Sequence, residues 1–369
     1  MRCTRCLAIL ALVTLSACSD QAVTGPAASG VHAAALAPAT NPITVMSRNL
    51  YIGTDVDLVI RALISPDPFD DVPTLLAGIA ELQNTAFPAR AAAIAAEIAR
   101  DRPHVVGLQE VSLIDIDLTP GLPIDFDLDY LTILLGHLSA LGLNYVPVGS
   151  VAGITAALPG VSVVDRDVVL VDADRATWDP ASIVTQTFAA NLGNVAPGIT
   201  LLRGWVAVEV TVDGNVFTVA NTHLESGHDP FFTPLREAQA FQLVASLVAA
   251  SPAIIMGDLN EGPGSPMYNV VTGAGFTDTW SALRPGASGL TCCHLPDLSN
   301  PVAAGELDQR IDYIMTRGFG HPNGRLIGSI GLVGITPGEK VAGPLYPLWP
   351  SDHAGLVLDL RTPPALGLQ

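Results

Sequence analysis

Short apolar runs closed by turn residues alternate along this chain with stretches that carry the three-to-four-residue spacing of helices. Ile43 to Ser47 reads as a first strand. Residues 55 to 85, interrupted by Pro66, Pro68 and Pro73, read as a loop plus a short helix. Ala89 to Arg100 combines strong helix formers with apolar positions 94, 95 and 98, and Pro103 stops it. Val105 to Leu108 is a continuous apolar run, as expected of a strand covered on both faces. The unit then repeats, with Tyr130 to Leu141 helical and Tyr145 to Val148 strand-like. Between these units lies Asp115 to Asp129, where Asp125, Asp127 and Asp129 alternate as in a calcium loop. The glycine and terminal glutamate of such a loop are missing, so a solvated insertion at the rim is expected.

The second half is richer in strands. Asp167 to Val171, Trp205 to Val212 and Asn215 to Thr222 alternate or run apolar, and Asp213-Gly214 joins the last two as a hairpin. Phe231 to Ala250 is a helix opened near Pro234. Ala253 to Met256, Ile311 to Met315 and Leu356 to Leu360 are further strands. Hairpins mixed with strand–helix units imply an α+β fold of two packed mixed sheets flanked by helices.

Five polar phrases stand at the ends of these apolar runs. They are Arg48-Asn49-Leu50, Leu108-Gln109-Glu110, Asn221-Thr222-His223, Gly257-Asp258-Leu259-Asn260 and Ser351-Asp352-His353. Side chains at strand ends can converge on one point from distant parts of a chain. Acids, amides and imidazoles are the types that hold a hard metal and move protons. A sixth phrase, Arg310-Ile311-Asp312-Tyr313-Ile314, lies upstream of the last.

In these phrases the chain resembles the endonuclease/exonuclease/phosphatase superfamily, which includes pancreatic deoxyribonuclease, abasic-site endonucleases, neutral sphingomyelinases and inositol polyphosphate phosphatases. The resemblance spans about residues 43 to 361, and GDLN and SDH are its most specific parts. It implies a four-layer α/β sandwich with a site at one end, where strand-end loops meet. It also implies that Asp312 pairs with His353, and that His223 matches the second histidine of the deoxyribonuclease and sphingomyelinase branches. Asn221-Thr222-His223 argues against the abasic-site branch.

The residues fit hydrolysis of a phosphate ester, which needs positive charge on the phosphoryl oxygens, an activated water and neutralisation of the leaving oxygen. Glu110 is the first candidate metal ligand, with Asn49 as a neutral oxygen ligand or an orienting group, and Asp352 as a ligand or supporting carboxylate. Oxygen donors without cysteine suit Mg²⁺ or Mn²⁺ better than zinc. Asp258, behind a buried strand, is the candidate to accept a proton from water or to hold that water against phosphorus. Asn260 would donate to a phosphoryl oxygen if the segment stays extended. His353 holds a phosphoryl oxygen or takes a proton, with Asp312 fixing its tautomer. Gln109 is expected to support Glu110, and Asp167 and Arg203-Gly204-Trp205 to line the cleft. Histidines 32, 104, 137, 228, 294 and 321 are expected at the surface or in packing.

Composition narrows the substrate. Hydrophobic content of 49% with 14% charged residues is that of a globular chain. Beyond the N-terminus no apolar run is long enough to span a bilayer. Arg2 and Arg5, the apolar stretch Leu7 to Leu15, and Leu15-Ser16-Ala17-Cys18 read as a signal peptide over residues 1–17. The last tetrapeptide resembles a bacterial lipobox, which would make Cys18 a lipidated first residue. Ser at position 19 then points to the outer membrane and periplasm, after export across the inner membrane. Residues 18–42 read as a tether, 43–361 as the folded domain and 362–369 as a tail.

Cleavage before Cys18 would leave 15 basic against 35 acidic residues, a formal charge of −20. Such a surface lacks the basic footprint of a protein that grips duplex DNA. A nucleic acid, a nucleotide, a lipid phosphodiester and a small phosphate ester all remain open as substrates. The lipid anchor would be the membrane contact, and a monomer is expected. A surface lipoprotein that binds without catalysis is the competing reading. Cys292 and Cys293 can form a metal site, a vicinal disulfide or simple packing, and a structural role is expected.

Overall fold

Strands buried on both faces organise the protein, and their side chains sort by parity into separate cores. In the computed structural model, residues 42–362 are described, apart from residues 68, 228, 304 and 322. The signal peptide, Cys18 and the tether therefore lie outside the described residues.

The strands that position the site are β1 (Ile43–Asn49), β2 (Val105–Gln109), β3 (Leu113–Asp117), β4 (Asp125–Asp129), β5 (Tyr145–Leu158) and β6 (Val161–Asp172). They continue with β7 (Gly204–Val212), β8 (Asn215–His223), β9 (Ala253–Asp258), β10 (Asp312–Arg317), β11 (Gly328–Val333) and β12 (Gly355–Leu360). The first sheet runs β11-β12-β1-β2-β6-β5, with two short strands beyond β5 and the β3–β4 hairpin attached to β6. In the second sheet β10-β9-β8-β7 are neighbours. The helices are α1 (Val56–Leu63), α2 (Asp71–Asn84), α3 (Phe87–Asp101), α4 (Tyr130–Ala140), α5 (Thr233–Ser246), α6 (Pro266–Gly273) and α7 (Thr279–Leu283).

Met46, Val106 and Leu108 of the first sheet face Phe87, Ala91, Ile94 and Ile98 of α3 and Leu134 and Leu138 of α4. Their sequence neighbours Val45 and Val105 point the other way, into a core shared with Val208, Val219, Ile254 and Leu358. On the far face of the second sheet, Ala220, Ile255 and Met315 pack against Leu243 of α5 and Met267 of α6. Three cores separate four layers, helices on either side of two sheets, which is the sandwich expected from the sequence.

Local structure departs from the sequence reading in three places. Residues 55–85 form two helices, α1 and α2, rather than a loop with one. The acidic stretch 115–129, expected as a solvated insertion, is built largely as the β3–β4 hairpin: Ile114 and Ile116 are buried while Asp115 and Asp117 are exposed. That alternation is the period of a half-buried strand. Beyond Phe231, the helix itself spans only Thr233–Ser246. No described helix is long and apolar enough to cross a membrane.

The two sheets are tied together directly below the strand ends. Asn221 of β8 donates from Nδ2 to the carbonyls of Leu108 (2.9 Å) and Val168 (3.1 Å) in the first sheet. Its Oδ1 accepts from Gln109 Nε2 at 2.6 Å. Gln109 thus serves the inter-sheet contact rather than supporting Glu110 directly. Room for the amide comes from Gly107, where a Cβ would lie 2.6 Å from Asn221 Oδ1. Gly257 plays the matching part within the second sheet. It holds φ +144°, and a Cβ there would stand 1.9 Å from the carbonyl oxygen of Thr222.

Replacing Asn221 with Leu keeps the volume but leaves buried amide and carbonyl groups of both sheets unpaired. Each such group costs about 1–3 kcal/mol, so a loss of roughly 2–4 kcal/mol is expected. Urea denaturation measures it, and an unchanged midpoint would show that the amide bridge contributes nothing.

Candidate active site

Strand register carries the polar phrases to one end of the sandwich. Parallel pairing of β1 with β2 sets Asn49 beside Gln109, immediately before Glu110. Parallel pairing of β8 with β9 sets His223 beside Asp258, and antiparallel pairing of β9 with β10 sets Asp258 beside Asp312. Asp352 and His353 enter from the turn that leads into β12, the partner of β1. Asn49, Glu110, Asp352 and His353 therefore come from the first sheet, and His223, Asp258, Asn260 and Asp312 from the second.

The two sets meet in a cleft of about 280 Å³ lined by Glu110, His223, Asp258, Asn260, Asp352 and His353. Asn49 Nδ2 spans the junction, 2.8 Å from Glu110 Oε1 and 3.4 Å from Asp258 Oδ2. Asn49 Oδ1 accepts from the Tyr51 amide at 2.8 Å, so this side chain orients Glu110. Glu110 Oε2 accepts from the Ile52 amide at 2.8 Å. Tyr51, Glu110 and Asn260 hold φ of 58°, 56° and 55°. Side chains with a Cβ rarely adopt this left-handed conformation, and such residues gather where function demands it.

The expected pair is present: His353 Nδ1 lies 2.8 Å from Asp312 Oδ2. Its Nε2 is 3.8 Å from Asp258 Oδ2, and His223 Nε2 is 3.5 Å from the same oxygen. The two imidazoles are driven in opposite directions. Burial opposes the charge on His353, but the carboxylates of Asp312, Asp352 and Asp258 outweigh it and hold the ring well above its ordinary value. Burial, Arg203 and His353 push His223 well below its own. His223 is thus neutral, and its contact with Asp258 is not an ion pair. Burial and then Asp312 raise Asp258 to about 7. Burial and then Asp352 raise Glu110, while burial and then Glu110 raise Asp165 to about 7.

Asn260 departs from the sequence reading. The chain turns at this residue instead of remaining extended, and its Nδ2 donates to the Leu224 carbonyl at 2.8 Å. Its backbone amide fixes Asp258 Oδ1 at 2.9 Å. Asp167 is buried and accepts from the backbone amide of His223, and Trp205 belongs to the core behind. Arg203 lines the cleft, as expected.

Some contributors were not visible in the sequence. Arg90 of α3 donates to the carbonyls of Leu50 (2.6 Å), Tyr51 (2.9 Å) and Pro350 (3.0 Å), holding the exit of β1 and the start of the SDH turn together. Arg48 pairs with Glu97 at 3.0 Å and donates to the His353 carbonyl. The helical spacing of α3 explains its apolar face but not these buried charges. Cys292 and Cys293 form a disulfide that lines the cleft, with sulfur atoms within 4.8 Å of a ring nitrogen of His353. The pair therefore forms part of the site wall. His294 lines the cleft too and stacks on Trp349.

A family model described as the Endonuclease/Exonuclease/phosphatase family matches residues 79–353. The chain belongs to this family. No curated protein matches its sequence. Solved structures similar to this endonuclease/exonuclease/phosphatase chain include a family protein from Beutenbergia cavernae, at 21% identity and TM-score 0.54, covering 88% of this chain and 72% of that one. A family protein from Bacteroides thetaiotaomicron aligns at 16% identity and TM-score 0.53, over 88% and 99% of the two chains. A mannosyl-6-phosphatase from the same organism aligns at 16% identity and TM-score 0.51, over 86% and 99%. At such identities these likenesses speak to the fold.

The raised carboxylates fix a sign for stability. An acid that binds its proton more tightly when folded adds stability at low pH and loses it as pH rises through the folded pKa. For Asp258 and Asp165 that loss falls between the ordinary carboxylate range and about 7. In EDTA the melting temperature is expected to drop from pH 5 to pH 8, and Asp258→Asn is expected to flatten part of that slope. Equal slopes by calorimetry would show that Asp258 is ionised throughout.

Proposed function

We propose that this protein is a divalent-cation-dependent phosphoesterase, with the cation of the Mg²⁺ or Mn²⁺ type held by Glu110 and Asp352 and with Asn49 orienting Glu110. The observation that carries this reading is the convergence of buried carboxylates from both sheets upon one cationic and one neutral histidine. Glu110, Asp352, Asp258 and Asp165 are all raised by burial, so the cluster has fewer positive charges nearby than its acids require. Hard oxygen donors in a buried, acid-rich cleft suit such a cation, which reverses the local field. When bound, it supplies positive charge against the phosphoryl and leaving oxygens.

The chain's own groups supply the rest. Ionised Asp258, fixed by the Asn260 amide, orients a water and takes its proton. Asp312 holds Nδ1 of His353, which leaves the Nε2–H of the charged ring to donate to a phosphoryl oxygen as negative charge builds there. His223, kept neutral, stands beside Asp258, and its ring N–H donates to the leaving oxygen. Two imidazoles with values pushed apart are the arrangement expected of groups with separate proton-transfer tasks. Support also comes from the family itself and from the phosphatase named among the similar structures. The strong negative charge weighs against a duplex nucleic acid as the substrate.

Purified protein is expected to hydrolyse bis-p-nitrophenyl phosphate with Mg²⁺ or Mn²⁺ and to stop in EDTA. His353→Ala is expected to slow turnover by roughly 10²-fold or more. A variant of near-normal rate would remove His353 from the mechanism. Absence of metal-dependent turnover with any phosphoester would favour a binding protein built on the same fold.

A further inference from the structure

A second depression opens from the wall of the catalytic cleft, between the α1–α2 pair and the outer ends of β3, β5 and β6. Its lining includes Ile52, Val56, Ile79, Ile116, Ile154 and Ala156, and Thr54 is the one polar side chain along it. Ile52, Thr54, Val56 and Ile154 line both this groove and the cleft. The link is immediate, because the backbone amide of Ile52 donates to Glu110 Oε2 while its side chain forms the groove wall.

The α1–α2 region also leaves large apolar side chains open to solvent. Leu58, Ile64 and Val72 are 52%, 49% and 61% exposed, and Phe69, between the two helices, is 86% exposed. A polar cleft continuous with an apolar groove fits a ligand with the same two parts. A sugar phosphate offers no apolar part to fill the groove.

We propose that the groove is a substrate subsite, and that the phosphoester cleaved here carries an aliphatic arm which lies along Ile52 and Ile154 while the phosphate sits at Glu110 and His353. This rests on the phosphoesterase reading of the cleft and names the class of substrate it takes. Each methylene buried in such a groove multiplies affinity about fourfold.

The test uses p-nitrophenyl phosphate diesters with ethyl, butyl and hexyl arms, below their micellar concentrations, with Mn²⁺. From ethyl to hexyl, kcat/KM is expected to rise at least about tenfold. Ala156→Trp, which fills the groove, is expected to bring the hexyl-to-ethyl ratio close to one, and Ala156→Leu to reduce it partway. In parallel, calorimetric titration with ethyl and dodecyl phosphate reads the groove without turnover. Chain-length-dependent binding that Ala156→Trp or Ala156→Leu weakens would uphold the subsite even if none of the diesters were hydrolysed, in which case the phosphoesterase reading alone would fall. Rates and affinities independent of chain length, as expected of a groove that docks a protein partner, would overturn the proposal.

Discussion

The amide of Asn221, wedged between two β-sheets in the gap left by Gly107, is the contact on which the arrangement of the site depends. A sandwich held only by aliphatic packing can slide, because dispersion and burial are non-directional. A site assembled from the ends of strands in both sheets cannot tolerate such sliding. Asn221 removes that freedom with hydrogen bonds to Leu108, Gln109 and Val168, one residue from Glu110 and two residues from His223. Asn49 repeats the device at the surface of the site, its amide lying between a carboxylate of each sheet. Arg48 and Arg90 then clamp the SDH turn onto the first sheet, using main-chain carbonyls as acceptors. Positions at the site are thus specified by directional bonds beneath and beside it, and the hydrophobic layers supply the bulk of the stability.

Electrostatics follow from that geometry. Burying Glu110, Asp165, Asp258 and Asp352 around one cleft raises all of them, since burial disfavours charge and each acid repels its neighbours. The same carboxylates hold His353 protonated despite its burial, whereas Arg203 and His353 help keep His223 neutral. The chain stores acids where a cation is called for and holds its own imidazolium against Asp312 and Asp258. Its strongly negative composition therefore says little about the cleft, where local charges a few ångströms apart decide the field.

Much of this was legible in the sequence, because it depends on short-range patterns. Apolar runs ending in Asn, Glu, Asp or His marked the strands and the residues they deliver, and the Asp312–His353 pair fitted the resemblance. What escaped the sequence is either local geometry or long-range contact. Asn260 looked as though it would continue an extended segment, yet a left-handed turn spends its amide on Leu224. The alternation of Ile114 and Ile116 with Asp115 and Asp117 has the period of a strand, but the density of aspartates around it is equally that of a solvated loop. Arg90 and the Cys292–Cys293 disulfide gave no signal of their place, since a partner 40 or more residues away leaves no trace in a local pattern. The groove beside α1–α2 was invisible for the same reason, being made where two helices meet three strands.

The central claim is that Glu110 and Asp352 hold one divalent cation in the cleft where acids of the two sheets meet. Crystals soaked in Mn²⁺ and measured at the manganese edge test this most directly. The account predicts an anomalous peak in the cleft within bonding distance of Glu110, lost in Glu110→Gln. A strong peak elsewhere in the molecule, with none beside Glu110, would contradict it.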